Sequence, residues 1–150
     1  MGGAASIITA AQDGALAGLI LWATPNNLRF TFRYVMTEDE YRRLDSGETL
    51  HFNDERGECD LTPDFLTDFD QYDLPCICLQ KAQPLPVLLL HCSADEVVLA
   101  EQGQRNAAAV GEAAELHIFA GGDHSFTQYS EQAGALLSDW LGKRLKCGAC

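Results

Sequence analysis

Residues 86–98 (PVLLLHCSADEVV) and residues 116–126 (LHIFAGGDHSF) are the two stretches that decide the fold of this chain. Each is an apolar strand that runs into a polar turn carrying a titratable residue, Asp95 in the first and His124 in the second. A parallel α/β sheet displays its functional groups at the carboxyl ends of its strands. The two stretches therefore predict an acid and a histidine at one edge of such a sheet.

The sequence around these strands alternates between further strand and helix patterns. Residues 17–25 (AGLILWATP) form a continuous apolar run closed by proline, which is typical of a strand buried on both faces. Helices are expected at residues 3–12, 100–110 and 130–145, the last with its apolar residues on one stripe. This order predicts an α/β fold with about three parallel strands, flanking helices and right-handed crossovers.

The segment at about 26–83 interrupts this alternation and is too long for an ordinary connection. Thr37 and Glu40 predict a capping box, Pro63 marks the start of a second helix, and residues 49–60 suit a hairpin. We expect one domain, 1–150, in which this segment is an α-rich cap inserted over the active-site end of the sheet. The alternative is a surface excursion with a small core of its own.

Composition argues against several classes of function. The 150 residues are 47% hydrophobic, which suffices for one domain with a sizeable core. The net charge of −12 argues against nucleic acid and anionic membrane surfaces as partners. No apolar run approaches the ~20 residues of a membrane span, and no secretion signal is visible, so a cytoplasmic location is expected.

The cysteines predict neither a metal site nor a cofactor. The C-x-x-C of Cys147 and Cys150 stands alone, whereas a zinc site needs four ligands. We interpret these residues as unpaired thiols of a reducing compartment.

Four motifs, in this order and spacing, resemble the C-terminal half of a serine α/β-hydrolase of the capped esterase and serine-aminopeptidase-like kind. They are MGGA at residues 1–4, AGLILWA at 17–23, PVLLLH through DEVV within 86–98, and GGDHSF at 121–126. The order of acid before histidine is that of the α/β-hydrolase triad. The resemblance covers nearly the whole chain and implies that Asp95 is the triad acid and His124 the triad base. It also implies that the backbone N–H of Met1 forms part of the oxyanion hole.

The resemblance places the nucleophilic serine directly before Met1, so that the sequence would be truncated just after it. A serine hydroxyl reacts only when a histidine removes its proton, and a carboxylate fixes the tautomer of that histidine. No other serine fits the role, because Ser6 lies within the first helix and Ser93 lies in the turn of the acid. The chain alone is therefore expected to be inactive.

Two positions depart from the pattern of the relatives. Cys92 and Leu99 replace a glycine and a proline, and the β-carbon of Cys92 is expected to crowd the turn. Three nearby residues are interpreted as structural: Glu96 and Asp123 as solvated turn residues, and His91 as a packed histidine.

By resemblance, the intact relative hydrolyses carboxylic esters of small neutral acyl groups through an acyl-enzyme. Two alternatives stay open, a peptidase or amidase of the same fold and a non-catalytic fragment or interaction module. Residues 19–22 are expected to form an unpaired strand edge without charged residues. We therefore expect self-association, or a partner that carries the missing N-terminal half.

Overall fold

A computed structural model describes residues 2–12, 16–54, 57–71 and 85–145 of the chain. Its elements are α1 (Gly2–Gln12), β1 (Leu19–Trp22), α2 (Leu28–Val35), α3 (Glu38–Asp45), β2 (Leu50–Asp54), β3 (Gly57–Leu61), α4 (Asp64–Gln71), β4 (Val87–Cys92), α5 (Ala100–Val110) and β5 (Ala114–Phe119), followed by α6 (Ser130–Leu145). None of the helices in this described part combines the length and apolar character that a membrane crossing needs.

Three of the strands form a parallel sheet in the order β1-β4-β5, which confirms the α/β fold predicted from the sequence. All six residues of the central strand β4 are buried. Leu89 lies opposite Leu21 of β1 and Leu116 of β5, so the strand ends that precede the two polar turns lie side by side.

Side chains alternate between the two faces of the sheet, and each face is covered by helices. Leu88 and Leu90 of β4 pack in a cluster with Trp140 of α6. Val87 and Leu89 pack in a cluster with Ile7 of α1 on the other face. Full burial of such a side chain contributes roughly 1.5–3 kcal/mol to the free energy of folding. The two clusters therefore fix the sheet on which the polar turns stand.

The helices α5 and α6 have the bounds that the sequence predicted, but β4 is longer than expected. It continues through His91 and Cys92 because both pair with β5, opposite Ile118 and Phe119. Cys92 thus ends the strand with a fully buried side chain. A close approach occurs at Gly122, where a β-carbon would lie 2.5 Å from the sulfur of Cys92.

The described residues divide into two compact units, one from 1–26 and 74–150 and the other from 27–73. The second unit contains α2, α3, the antiparallel hairpin β2–β3, and α4. Thr37 and Glu40 form the predicted capping box, and the rings of Phe32, Phe65 and Phe69 pack together. Residues 72–84 lie outside the described part, and the insertion at about 26–83 as a cap stays a prediction.

Among the described residues, β1 has a neighbouring strand on one side only. The N–H group of Leu19 donates to the carbonyl of Pro86, and that of Ala23 to the carbonyl of Leu90, both at 2.9 Å. Because N–H groups alternate in direction along a strand, those of Ile20 and Trp22 point away from β4. A cavity of about 550 Å³ lies along β1, lined also by residues of α1 and α6. Within the described ranges, no strand pairs with this edge, which lies beside a mostly apolar cavity.

We predict that the chain associates through this edge at micromolar concentration, because open strand edges pair with other chains. Sedimentation velocity should show dimers or larger species. Ile20→Pro should reduce the association, since proline removes an outward N–H and leaves the ladder to β4 intact. Leu21→Pro is the matched control, because it removes an inward ladder bond and should destabilise the fold. A monodisperse parent monomer that unfolds cooperatively would contradict the prediction.

Candidate active site

Asp95 lies in the turn that leads from β4 toward α5, and its side chain has no exposed surface. Its Oδ1 atom accepts hydrogen bonds from the backbone N–H groups of Val97 at 2.9 Å and Val98 at 2.7 Å. This local turn follows from an aspartate that bonds to the backbone two and three residues further on. These two local hydrogen bonds therefore help to orient the carboxylate.

His124 lies in the loop after β5, and this loop is joined to the turn of Asp95 by three hydrogen bonds. Gly121 N–H donates to Ser93 Oγ at 2.7 Å, and Ala94 N–H donates to Gly122 O at 3.2 Å. His124 N–H donates to Glu96 Oε2 at 3.2 Å. Gly121 has a φ of +74°, a backbone conformation that glycine adopts without strain. The two turns thus form one connected structure.

The structure brings the two predicted site residues together. Nδ1 of His124 lies 3.0 Å from Oδ1 and 2.9 Å from Oδ2 of Asp95. Because an ionised carboxylate only accepts hydrogen bonds, Nδ1 carries the proton in this pair. The neutral imidazole then has an unprotonated Nε2 that can take a proton, and about a third of the side chain (35%) is exposed. This is the arrangement that a general base requires.

Asp95 remains ionised although it is buried. Burial alone would raise its pKa, but hydrogen bonds from His91, Val98, His124 and Val97 more than offset this effect and lower the pKa to about 2. The charge of the carboxylate thus persists over the whole physiological range of pH. The ionised carboxylate keeps the proton of His124 on Nδ1 and fixes the orientation of the ring.

An aromatic anchor holds the histidine loop against the sheet. Phe126 is fully buried and has a φ of +56°, which costs an ordinary residue roughly 1–2 kcal/mol. Its ring contacts those of Trp22 and Phe119, with centroids 4.6 Å and 5.6 Å apart. The sequence showed no sign of this role, because the left-handed backbone is imposed by contacts with distant strands.

Other polar residues near the pair have roles that the sequence analysis missed or only partly described. Glu96 and Asp123 are exposed or partly exposed as expected, yet each accepts a backbone hydrogen bond within the site, from His124 and Thr127. Cys92 is not a candidate nucleophile, because burial, with nearby carboxylates, raises the pKa of its thiol to about 11.

The described residues do not include the remaining predicted groups, so those predictions stay open. Met1, the predicted oxyanion-hole residue, and the cysteines Cys147 and Cys150 lie outside the described residues. Within the described ranges, no three His, Cys, Asp or Glu side chains are grouped so that they could hold a metal ion.

Solved structures with the same fold are α/β-hydrolases. Est1E from Butyrivibrio proteoclasticus superposes with a TM-score of 0.74 at 15% identity, over 96% of this chain and 58% of its own. The esterase domain of a Rhodothermus marinus protein superposes with a TM-score of 0.66 at 16% identity, over 93% of this chain and 56% of that structure. A 2,6-dihydroxy-pseudo-oxynicotine hydrolase superposes with a TM-score of 0.64 at 18% identity, over 97% of this chain and 38% of that structure.

This chain has a partial α/β-hydrolase fold. It spans 38–58% of the length of these three structures. No protein-family model and no curated protein sequence matches it.

Within this partial α/β-hydrolase fold, α1 begins at the same edge of the sheet as the Asp95–His124 pair. A β-carbon on Gly3 would lie 2.1 Å from Oγ1 of Thr24, the second residue after β1. Trp22, the last residue of β1, contacts Phe126 of the histidine loop. The amino end of α1, the acid and the histidine therefore all lie toward the carboxyl ends of the parallel strands.

The low pKa of Asp95 predicts a loss of stability in acid. A carboxyl whose pKa is about 2 when folded and 3.8 ordinarily contributes stability above its ordinary pKa and loses it as the pH falls. The contribution is about 2 kcal/mol, and most of it should disappear between about pH 5 and about pH 2.

The measurement is the free energy of unfolding in urea across this range for the parent and Asp95→Asn. The difference between them should shrink as the pH falls, and Asp68→Asn controls for the loss of one exposed negative charge. A difference that stays constant with pH would show that Asp95 is not the buried ionised group described here.

Proposed function

We propose that this chain carries the base and the acid of a Ser-His-Asp triad in a carboxylic-ester hydrolase. His124 acts as general base and then general acid, and Asp95 orients it. The nucleophile is a serine at the turn that leads into α1, supplied by residues other than those described. The observation that carries the proposal is the buried, ionised Asp95 bonded to Nδ1 of a partly exposed His124.

The position of α1 supports this location for the nucleophile. In an α/β-hydrolase the serine lies on a sharp turn between a strand and a helix, at the carboxyl edge of the sheet. Here α1 begins at that edge, because Gly3 packs against Thr24 at the end of β1. A residue just before α1 would therefore be close to the edge where His124 lies.

The proposed reaction has two steps, both of which use Nε2 of His124. In the first step, Nε2 takes the serine proton as the serine oxygen bonds to the ester carbonyl carbon. It then donates this proton to the leaving alkoxide of the substrate as the ester carbon–oxygen bond breaks. In the second step Nε2 takes a proton from water, the hydroxide attacks the acyl-enzyme, and the proton goes back to the serine. Asp95 stabilises the imidazolium in both steps.

The charge of the chain supports a neutral substrate. With a net charge of −12, the protein repels carboxylates, phosphates and other anions at long range. A small neutral acyl ester has no such penalty. One of the structures that share the fold is described as an esterase domain, which at this level of identity bears on the fold alone.

The test compares the chain alone with the chain extended by the polypeptide encoded directly upstream. We predict that a fluorophosphonate probe leaves the chain alone unlabelled and labels the extended protein, which hydrolyses p-nitrophenyl esters faster than the matching p-nitroanilides. His124→Ala and Asp95→Asn should each lower kcat/KM by on the order of 10³-fold or more.

His117→Gln is the matched control for removing an imidazole. His117 lies on β5 and bonds to Glu115 at 3.0 Å, away from Asp95, so turnover should stay near the parent value. Full turnover by the His124→Ala protein would refute the assignment of the base. Stoichiometric labelling of the chain alone, abolished by His124→Ala, would show that the nucleophile lies within these 150 residues.

A further inference from the structure

We propose that His91 is a positioning residue for Asp95, so that the carboxylate is held between two imidazoles, His91 behind it and His124 in front. The contacts of His91 with Asp95 and its turn are features of the structure that hold whatever reaction the protein catalyses. The catalytic meaning of this inference rests on the function proposed above.

His91 and Asp95 meet in the interior of the protein. The exposed fraction is 1% for the His91 side chain and zero for that of Asp95. Nε2 of His91 lies 2.7 Å from the carbonyl oxygen of Val98 and 3.4 Å from Oδ2 of Asp95. The Nε2–H group therefore donates chiefly to the carbonyl and also faces the carboxylate. A buried imidazole in an otherwise apolar strand is costly unless it is bonded in this way.

The two hydrogen bonds of Val98 connect His91 to the geometry of the site. Its N–H donates to Oδ1 of Asp95 at 2.7 Å, while its carbonyl accepts from His91. His91 thus fixes the turn that orients Oδ1. It also lies against Oδ2, the oxygen that accepts from His124 at 2.9 Å. Removing His91 would free both the turn and the carboxylate to rotate.

Helix α5 holds the other side of the imidazole. A β-carbon at Gly103 would lie 2.4 Å from Nδ1 of His91, so only glycine lets α5 pack this closely on the ring. The imidazole is therefore fixed by helix packing on one edge and by hydrogen bonds on the other. Helix α5 therefore positions His91, His91 positions Asp95, and Asp95 orients the ring of His124.

The experiment measures the His124 ring directly, in the chain as it stands. Nuclear magnetic resonance of protein labelled with ¹⁵N-histidine reports the Nδ1–H proton of His124, which a bond to a carboxylate shifts far downfield. His91→Leu should shift this resonance upfield or abolish it in protein that still unfolds cooperatively in urea. His91→Gln, which retains an N–H donor, should restore part of the downfield shift. His117→Gln should leave it unchanged.

A second variant leaves every hydrogen-bonding group in place. Gly103→Ala should move the His91 ring and shift the His124 resonance in the same direction as His91→Leu, by less. Gly134→Ala is the matched control, because a β-carbon there meets nothing within 4 Å. If His91→Leu does not fold, Gly103→Ala decides the question.

Three results would overturn the proposal. They are an unchanged His124 resonance in folded His91→Leu, equal effects of the Leu and Gln variants, and a folded Gly103→Ala protein in which the His124 resonance does not move. In the extended enzyme, His91→Leu should lower kcat more than it raises KM. If the extended protein has no esterase activity, the proposed function fails, whereas the resonance still tests His91.

Discussion

The site depends on one buried negative charge, the carboxylate of Asp95. Removing a carboxylate from water costs several kcal/mol, and the cost is recovered only if the oxygens find enough donors. Asp95 finds them in the N–H groups of Val97 and Val98 and in the ring of His124, with that of His91 facing its other side. These donors come from the end of β4, the turn before α5 and the loop after β5. The charge therefore ties three separate segments into one geometry.

That geometry also constrains the sheet. His91 must point to the face of β4 on which α5 packs, because its ring contacts both Gly103 and the turn at Val98. A shift of one residue in the pairing of β4 would turn this side chain to the opposite face. The apolar pairing of β4 with β1 and β5 fixes the register, and the register fixes the position of the donors. Packing and electrostatics thus support the same arrangement.

The sequence was sufficient to predict the features that local patterns determine. The three parallel strands, the bounds of α5 and α6, the capping box at Thr37 and Glu40, and the proximity of Asp95 to His124 all follow from periodicity, caps or a recognisable order of motifs. The sequence missed the features that arise from contacts between distant residues. The bond from His124 N–H to Glu96 spans 28 positions, and the left-handed φ of Phe126 depends on rings from two strands. The predicted end of β4 was too early, because pairing with β5 extends the strand through Cys92.

The Asp95–His124 pair is assembled entirely by β4, β5 and the segments that follow them. The contacts that orient it involve Ser93, Glu96, Val98 and Gly121, all from the second half of the described residues. Strand β1 supports this arrangement through its pairing with β4 and through the contact between Trp22 and Phe126. In the proposed function, the two groups that handle the proton are therefore oriented by the folded chain itself rather than by substrate binding. For a triad of this kind, the remaining requirement is positional: a serine hydroxyl must reach Nε2 of His124, and the start of α1 lies at the edge of the sheet from which it could do so.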